Sequence, residues 1–156
     1  MGLRRIIKNY LYRDKFKIKQ NEVKDNLEKQ NIFITGANSG IGFALAKKFV
    51  EFDNKVLATY NQNNDNLIEL KGKNLEIFQC DQTNINNVEN LRNFVKNKSI
   101  NVIINNAGVW GGEKQNFNNI DYKNLEKALY VNAISIIKIS EIIINYAKVD
   151  SLKSII

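Results

Sequence analysis

The stretch Asn31-Ile32-Phe33-Ile34-Thr35-Gly36-Ala37-Asn38-Ser39-Gly40-Ile41-Gly42 decides the fold. Its first five residues are a short apolar run, which reads as a buried strand. Three glycines follow, and the chain then enters an amphipathic helix from about Ile41 to Phe52. Gly36 lets the chain turn sharply off the strand. Gly40 removes a side chain where a ligand would approach, and Gly42 lets the helix pack close to the sheet. An anion placed there meets free N–H groups around Ser39 to Ile41, at the positive end of the helix dipole. The spacing is Gly-x-x-x-Gly-x-Gly, not Gly-x-Gly-x-x-Gly, and no lysine closes the turn, which argues against an ATPase-type phosphate loop.

Working outward, Lys55–Tyr60, Asn74–Gln79 and Asn101–Asn105 read as further strands. A short helix near Asn63–Leu70 and a longer one over Asn84–Val95 separate them. Strands that are apolar on both faces and alternate with helices predict a parallel sheet covered on each side. Right-handed crossovers make it a doubly wound, three-layer α/β/α fold of the Rossmann kind. Asp121–Ala147 reads as one long helix whose isoleucines cover nearly all of its circumference. Ser154-Ile155-Ile156 reads as the opening of a fifth strand, in which the fold is expected to be cut short. The expected domains are a basic extension over 1–30 and an incomplete nucleotide-binding unit over 31–156.

The composition fits a globular chain, with 44% hydrophobic and 25% charged residues. With no histidine and one cysteine, Cys80, the chain offers neither an internal disulfide nor a Cys/His zinc site. The formal charge of +7 is concentrated in residues 1–30, which hold nine basic and four acidic side chains. The body is therefore not basic enough for a nucleic-acid groove, and no nucleic-acid partner is expected. In the leader, Leu3, Ile6, Ile7, Tyr10 and Leu11 fall at helical spacing. That pattern suits a solvent-facing or domain-packed helix, membrane-surface contact by residues 2–13, or an organelle-targeting segment. No uninterrupted apolar run spans a bilayer, because Asn132, Lys138 and Glu141 break the richest one. A cytoplasmic location is the simpler expectation, with organelle import through the basic leader as the alternative.

Thr35–Gly42, Asp81, Asn105-Asn106-Ala107-Gly108 and Asn132 together resemble the short-chain dehydrogenase/reductase family, in its order and spacing. The resemblance covers residues 31–156 and implies NAD or NADP bound on a parallel-stranded fold. It implies that Gly36, Asn38, Ser39, Gly40, Ile41 and Gly42 line the pyrophosphate and that Asp81 and the backbone of Gln82 hold the adenine. Asn105, Ala107 and Gly108 would support the adenosine ribose, and Asn132 would anchor a water in a proton relay. On the residues alone, Asp81 also reads as a helix cap, and Asn105-Asn106 as a simple turn. Tyr60 and Asn61 close the second strand without a carboxylate to repel a 2′-phosphate, and without a cation to pair with one. The missing acid tilts the expectation towards NADP.

The resemblance also implies a serine and a Tyr-x-x-x-Lys pair after the fifth strand. Tyr146 is followed by Ala147, Lys148, Val149 and Asp150, which is the wrong offset and lies before that strand. The chain is thus expected to bind a dinucleotide without turning over a substrate, as a truncated oxidoreductase, a non-catalytic module or one piece of a split enzyme. The helix over 121–147 is further expected to be a self-association surface.

Overall fold

The structure, a computed structural model, describes residues 29–156 except 71, 73, 114, 150 and 151. The expectations for the leader fall on residues 1–28, outside the described part. From Asn31 the chain alternates β1 (Asn31–Ile34), α1 (Gly40–Glu51), β2 (Lys55–Tyr60), α2 (Asp65–Leu70), β3 (Leu75–Gln79), α3 (Ile85–Val95) and β4 (Val102–Ile104). A two-stranded hairpin follows, β5 (Gln115–Asn116) with β6 (Asn119–Ile120). Then come α4 (Tyr122–Leu129), a π-helical turn (Tyr130–Ile134), α5 (Ser135–Tyr146) and β7 (Ser154–Ile155).

The five long-range strands form one parallel sheet in the order β3-β2-β1-β4-β7. This is the doubly wound arrangement expected from the sequence, with the chain reversing direction across the sheet between β1 and β4. Ile32 and Ile34 of β1 pack on one face with Val56, Ala58, Ala46 and Leu67. Phe33 points the other way, among Val88, Leu91, Ile103, Ile139 and Ile143. All three β1 side chains are buried because helices cover both faces, which is why this strand shows no polar alternation.

Asn54, fully buried, donates from Nδ2 to the Phe49 carbonyl and accepts the Gln30 N–H at Oδ1, each at 2.9 Å. It fastens the end of α1 to the entry of β1, with both ends of its buried amide hydrogen-bonded.

The single helix expected over 121–147 is a composite. Asp121 caps α4 by accepting the Asn124 N–H at 3.1 Å, and the π-helical turn interrupts the α-helical spacing before α5 begins. Tyr122–Tyr146 is long and apolar enough, by length and composition, to cross a membrane. That qualifies the reading that interrupting polar residues exclude such a segment. In the fold, Ile139, Ile142 and Ile143 of this run belong to the sheet core. Leu129, Ile134, Ile137 and Ile144 are exposed.

Candidate functional site

Every parallel strand sends its chain out at the same end of the sheet, and a cleft of about 350 Å³ opens there. Its base is the glycine turn. Thr35, buried, donates its N–H to the Ile104 carbonyl at 3.0 Å, and its hydroxyl accepts the Ala107 N–H at 2.9 Å. Ala37 donates to the Thr59 carbonyl at 2.9 Å. Asn106 donates from Nδ2 to the carbonyls of both Thr35 and Gly36 at 3.0 Å. The turn is thus tied to β2 on one side and to the loop after β4 on the other.

The three glycines have different reasons to be glycine. Gly36 has φ +64 and sits so close to Ala107 that a Cβ would fall 2.8 Å from its Cα. A Cβ at Gly42 would lie 2.3 Å from the Gly36 carbonyl oxygen and 2.4 Å from Asn106 Nδ2. Gly40 has φ +55, and a Cβ there would meet nothing within 4 Å. Two glycines let protein approach protein, and the third leaves room outside it. Ser39, the N-cap of α1, does not turn its hydroxyl onto the first turn. The leading amides of α1 have no intrahelical acceptor, so they remain free to bind an anion. This donor set and the space over Gly40 fit a pyrophosphate.

The walls come from the other strand ends. Tyr60 ends β2 and Asn61 follows it, and Gln79 donates from Nε2 to the Asn61 carbonyl at 2.9 Å. After β3 the cleft is lined by Cys80, Asp81, Gln82 and Thr83. Asp81 Oδ1 accepts both the N–H and the hydroxyl of Thr83, at 2.9 and 2.7 Å. The cap of α3 is Asn84, not Asp81, so capping does not explain the aspartate. Burial, and secondarily the Asp81 charge, push the Cys80 thiol up to about 11, which keeps it protonated at neutral pH. Gln82 is buried, and its Oε1 accepts the Ser135 hydroxyl at 2.8 Å. That hydroxyl also lies 2.7 Å from the Val131 carbonyl and has a single proton to share between them.

Of the residues singled out from sequence, Gly36, Asn38, Ser39, Ile41, Gly42, Tyr60, Asn61, Asp81, Gln82, Ala107 and Gly108 line this one cleft. Gly40, Asn105 and Asn132 are not in its lining. Asn105 donates its N–H to the Ile156 carbonyl at 2.7 Å, and its Oδ1 is buried without a partner among the described residues. Asn132 is exposed rather than buried. Its Oδ1 accepts the Val109 N–H and its Nδ2 donates to the Val109 carbonyl, both at 2.9 Å. Cys80, Thr83, Asn106, Val109, Lys127 and Val131 also line the cleft without having been singled out. Asn106 was visible in the Asn-Asn-Ala-Gly run. Lys127 and Val131 depend on where the composite helix lies, and no local pattern announces that.

A doubly wound sheet with a glycine turn opening α1 and a cleft over the switch point defines a Rossmann-like α/β fold. Residues 30–156 match the family model described as short chain dehydrogenase. The chain is 33% identical over 108 residues to an uncharacterized oxidoreductase of Saccharomyces cerevisiae, covering 68% of this chain and 34% of that protein. It is 35% identical over 91 residues to a 3-oxoacyl-(acyl-carrier-protein) reductase of Buchnera aphidicola, covering 54% and 36%. Among solved structures, a carbonyl reductase of Pseudomonas aeruginosa superposes with a TM-score of 0.68 at 25% identity, covering 76% of this chain and 56% of that one. A short chain dehydrogenase of Burkholderia cenocepacia, solved in complex with NADP, gives 0.64 at 22% identity, covering 78% and 52%. This chain belongs to the short-chain dehydrogenase/reductase family. It spans about a third of the length of the curated relatives it matches.

Proposed function

We propose that this chain binds a nicotinamide adenine dinucleotide across the strand ends, as the cofactor-binding part of an oxidoreductase. The observation that carries this is the braced glycine turn, crowded at Gly36 and Gly42 and open at Gly40. Gly36, Ser39, Ile41 and Gly42 would receive the pyrophosphate on backbone amides at the start of α1. Asp81, with one carboxylate oxygen engaged by Thr83, would offer the other to the adenine amino group, beside the Gln82 backbone. Ala107 and Gly108 would floor the adenosine ribose. When bound, such a dinucleotide supplies hydride-transfer chemistry.

The end of β2 supports NADP over NAD, because Tyr60 and Asn61 reach the cleft and present no carboxylate there. Lys127 is the one cation in the cleft lining among the described residues. Proton transfer is a separate matter. Among the described residues that line the cleft, the sole tyrosine is Tyr60. Tyr130 does accept a hydrogen bond from Lys138 at 3.1 Å, but neither residue lines the cleft.

Calorimetric titration with NADP and NAD, beside a dehydrogenase assay, tests the reading. Saturable binding of NADP, tighter than NAD, with no turnover is expected. Tighter binding of NAD refutes the NADP preference, and failure of both to bind refutes the cofactor reading. The exposed Leu129, Ile134, Ile137 and Ile144 support a second proposal, that this helix pairs with another copy of the chain.

A further inference from the structure

Asn54, sealed in the fold, has both ends of its side-chain amide hydrogen-bonded. Gln82 is buried too, at 6% exposure, but it uses only one end. Its Oε1 accepts the hydroxyl of Ser135, a residue with no exposure at all, at 2.8 Å. Its Nε2 has no hydrogen-bond partner among the described residues. Nor is that nitrogen one of the side-chain atoms sealed in without a partner, so it reaches accessible surface. Gln82 lines the cleft, and the cleft is where that surface lies. A buried amide kept only to tie a loop to a helix would be satisfied at both ends, because a stranded donor costs about 1–3 kcal/mol. One end tied and the other presented is the arrangement of a ligand contact.

Ser135 fixes which end is presented. Two oxygens keep a separation of 2.8 Å only with a proton directed between them, so Oε1 faces α5 and the N–H donors face the cleft. The preceding residue supplies the complementary group. Asp81 holds Thr83 with Oδ1, and its other carboxylate oxygen has no partner among the described residues. A free acceptor and a free donor thus stand on consecutive residues of one loop. Adenine presents the matching pair, an amino donor and ring nitrogens that only accept. We propose that the Gln82 side-chain amide is a specificity-determining donor to a ring nitrogen of the base, and that Ser135 is the positioning residue that aims it. This rests on the dinucleotide reading above, in which the cofactor meets Gln82 through its backbone, and adds the side chain as a further contact.

The side-chain N–H2 resonances of Gln82 in a nitrogen-labelled sample, assigned through their own backbone, read this position directly. NADP and its adenine-bearing half, 2′,5′-ADP, should move them saturably. Ribose 5-phosphate and nicotinamide mononucleotide, which carry no adenine, should not. Gln82→Met, close in volume, should weaken NADP binding about ten-fold in calorimetry, the loss of one hydrogen bond. Ser135→Ala frees the amide to turn and should weaken NADP about five-fold, yet add nothing further in the Gln82→Met background. A role for Ser135 in packing alone would give the same loss in both backgrounds and would refute its positioning role. If NADP binds but leaves the Gln82 resonances unmoved, or binds Gln82→Met within about two-fold of the unaltered chain, the proposal is wrong and the cofactor reading stands. If NADP fails to bind, the cofactor reading falls. The response to 2′,5′-ADP then decides, since a saturable shift keeps the base contact and no shift removes it.

Discussion

Replacing Gly42 by alanine tests the construction of the cradle, because the added methyl would strike the turn and its brace. Its Cβ would stand 2.3 Å from the Gly36 carbonyl oxygen and 2.4 Å from Asn106 Nδ2. Ordinary carbon contacts are about 3.5 Å or more, so α1 has to retreat from the turn by roughly 1 Å. Both struck groups belong to the brace, and a retreat of that size breaks one or both of the 3.0 Å bonds from Asn106. Overpacking costs about 1–3 kcal/mol and each lost hydrogen bond about 1 kcal/mol. A total near 3 kcal/mol lowers the melting temperature of a domain this size by about ten degrees. Gly40→Ala is the control. At φ +55 with open space around it, it carries only the left-handed backbone strain, about 1–2 kcal/mol. That methyl fills the room left for a ligand, so Gly40→Ala should stay folded and lose dinucleotide affinity. Chemical denaturation followed by circular dichroism ranks the two. If Gly42→Ala unfolds within about 0.5 kcal/mol of the unaltered chain, or is less damaging than Gly40→Ala, the steric account is wrong.

Asn132→Leu removes both bonds to the Val109 backbone, so stability should fall by about 1–2 kcal/mol and the Val109 amide should exchange faster with solvent; unchanged exchange there would remove the clamp. The folded state holds the Cys80 proton up to about 11, whereas an unfolded thiol releases it near its ordinary value of 9.0. The contribution of Cys80 is therefore complete below pH 9 and is lost as pH rises through 9 to 11, by about 3 kcal/mol at most. Denaturation midpoints of the unaltered chain should fall over that window relative to Cys80→Ala, and parallel profiles would contradict this. Ile137 is 68% exposed on α5, so Ile137→Glu should reduce self-association without unfolding the chain; light scattering that shows the same mass for both proteins would argue against pairing through this face.

The sheet was legible because its signal is local. Ile32, Phe33 and Ile34 are apolar in succession, and in the fold each is buried against one of two opposite helix layers. The isoleucines that encircle the run after Asn132 divide in the fold: Ile134, Ile137 and Ile144 are exposed, whereas Ile139 and Ile143 are buried. Two features left no such trace. The hairpin pairs Gln115 with Ile120 and Asn116 with Asn119 around an exposed Phe117, in a polar run with no alternation of two. The π-helical turn at Tyr130–Ile134 occupies ordinary helix-forming sequence, with no glycine or proline to mark it.

Asn132 shows where sequence reasoning about the site reaches its limit. A polar residue inside an apolar helix has to be hydrogen-bonded if it is buried, and that much followed from composition. In the fold Asn132 is exposed, and it spends both ends of its amide on the backbone of one residue of a different loop. It does so from the middle of the π-helical turn, between Val131, which lines the cleft, and Ser135, which reaches Gln82 at 2.8 Å. The composite helix therefore touches the cleft along a line: Lys127 and Val131 at the wall, Asn132 on the loop after β4, Ser135 on the loop after β3. Lys127, Val131 and Ser135 stand four residues apart and so share one face even at the 100° per residue of a regular helix. Through Ser135 and Asn132 that run couples the two loops, and through Val109 the exposed Trp110, to a single element. Asn132→Leu should release only the wall after β4 and leave the contact of Ser135 with Gln82 in place.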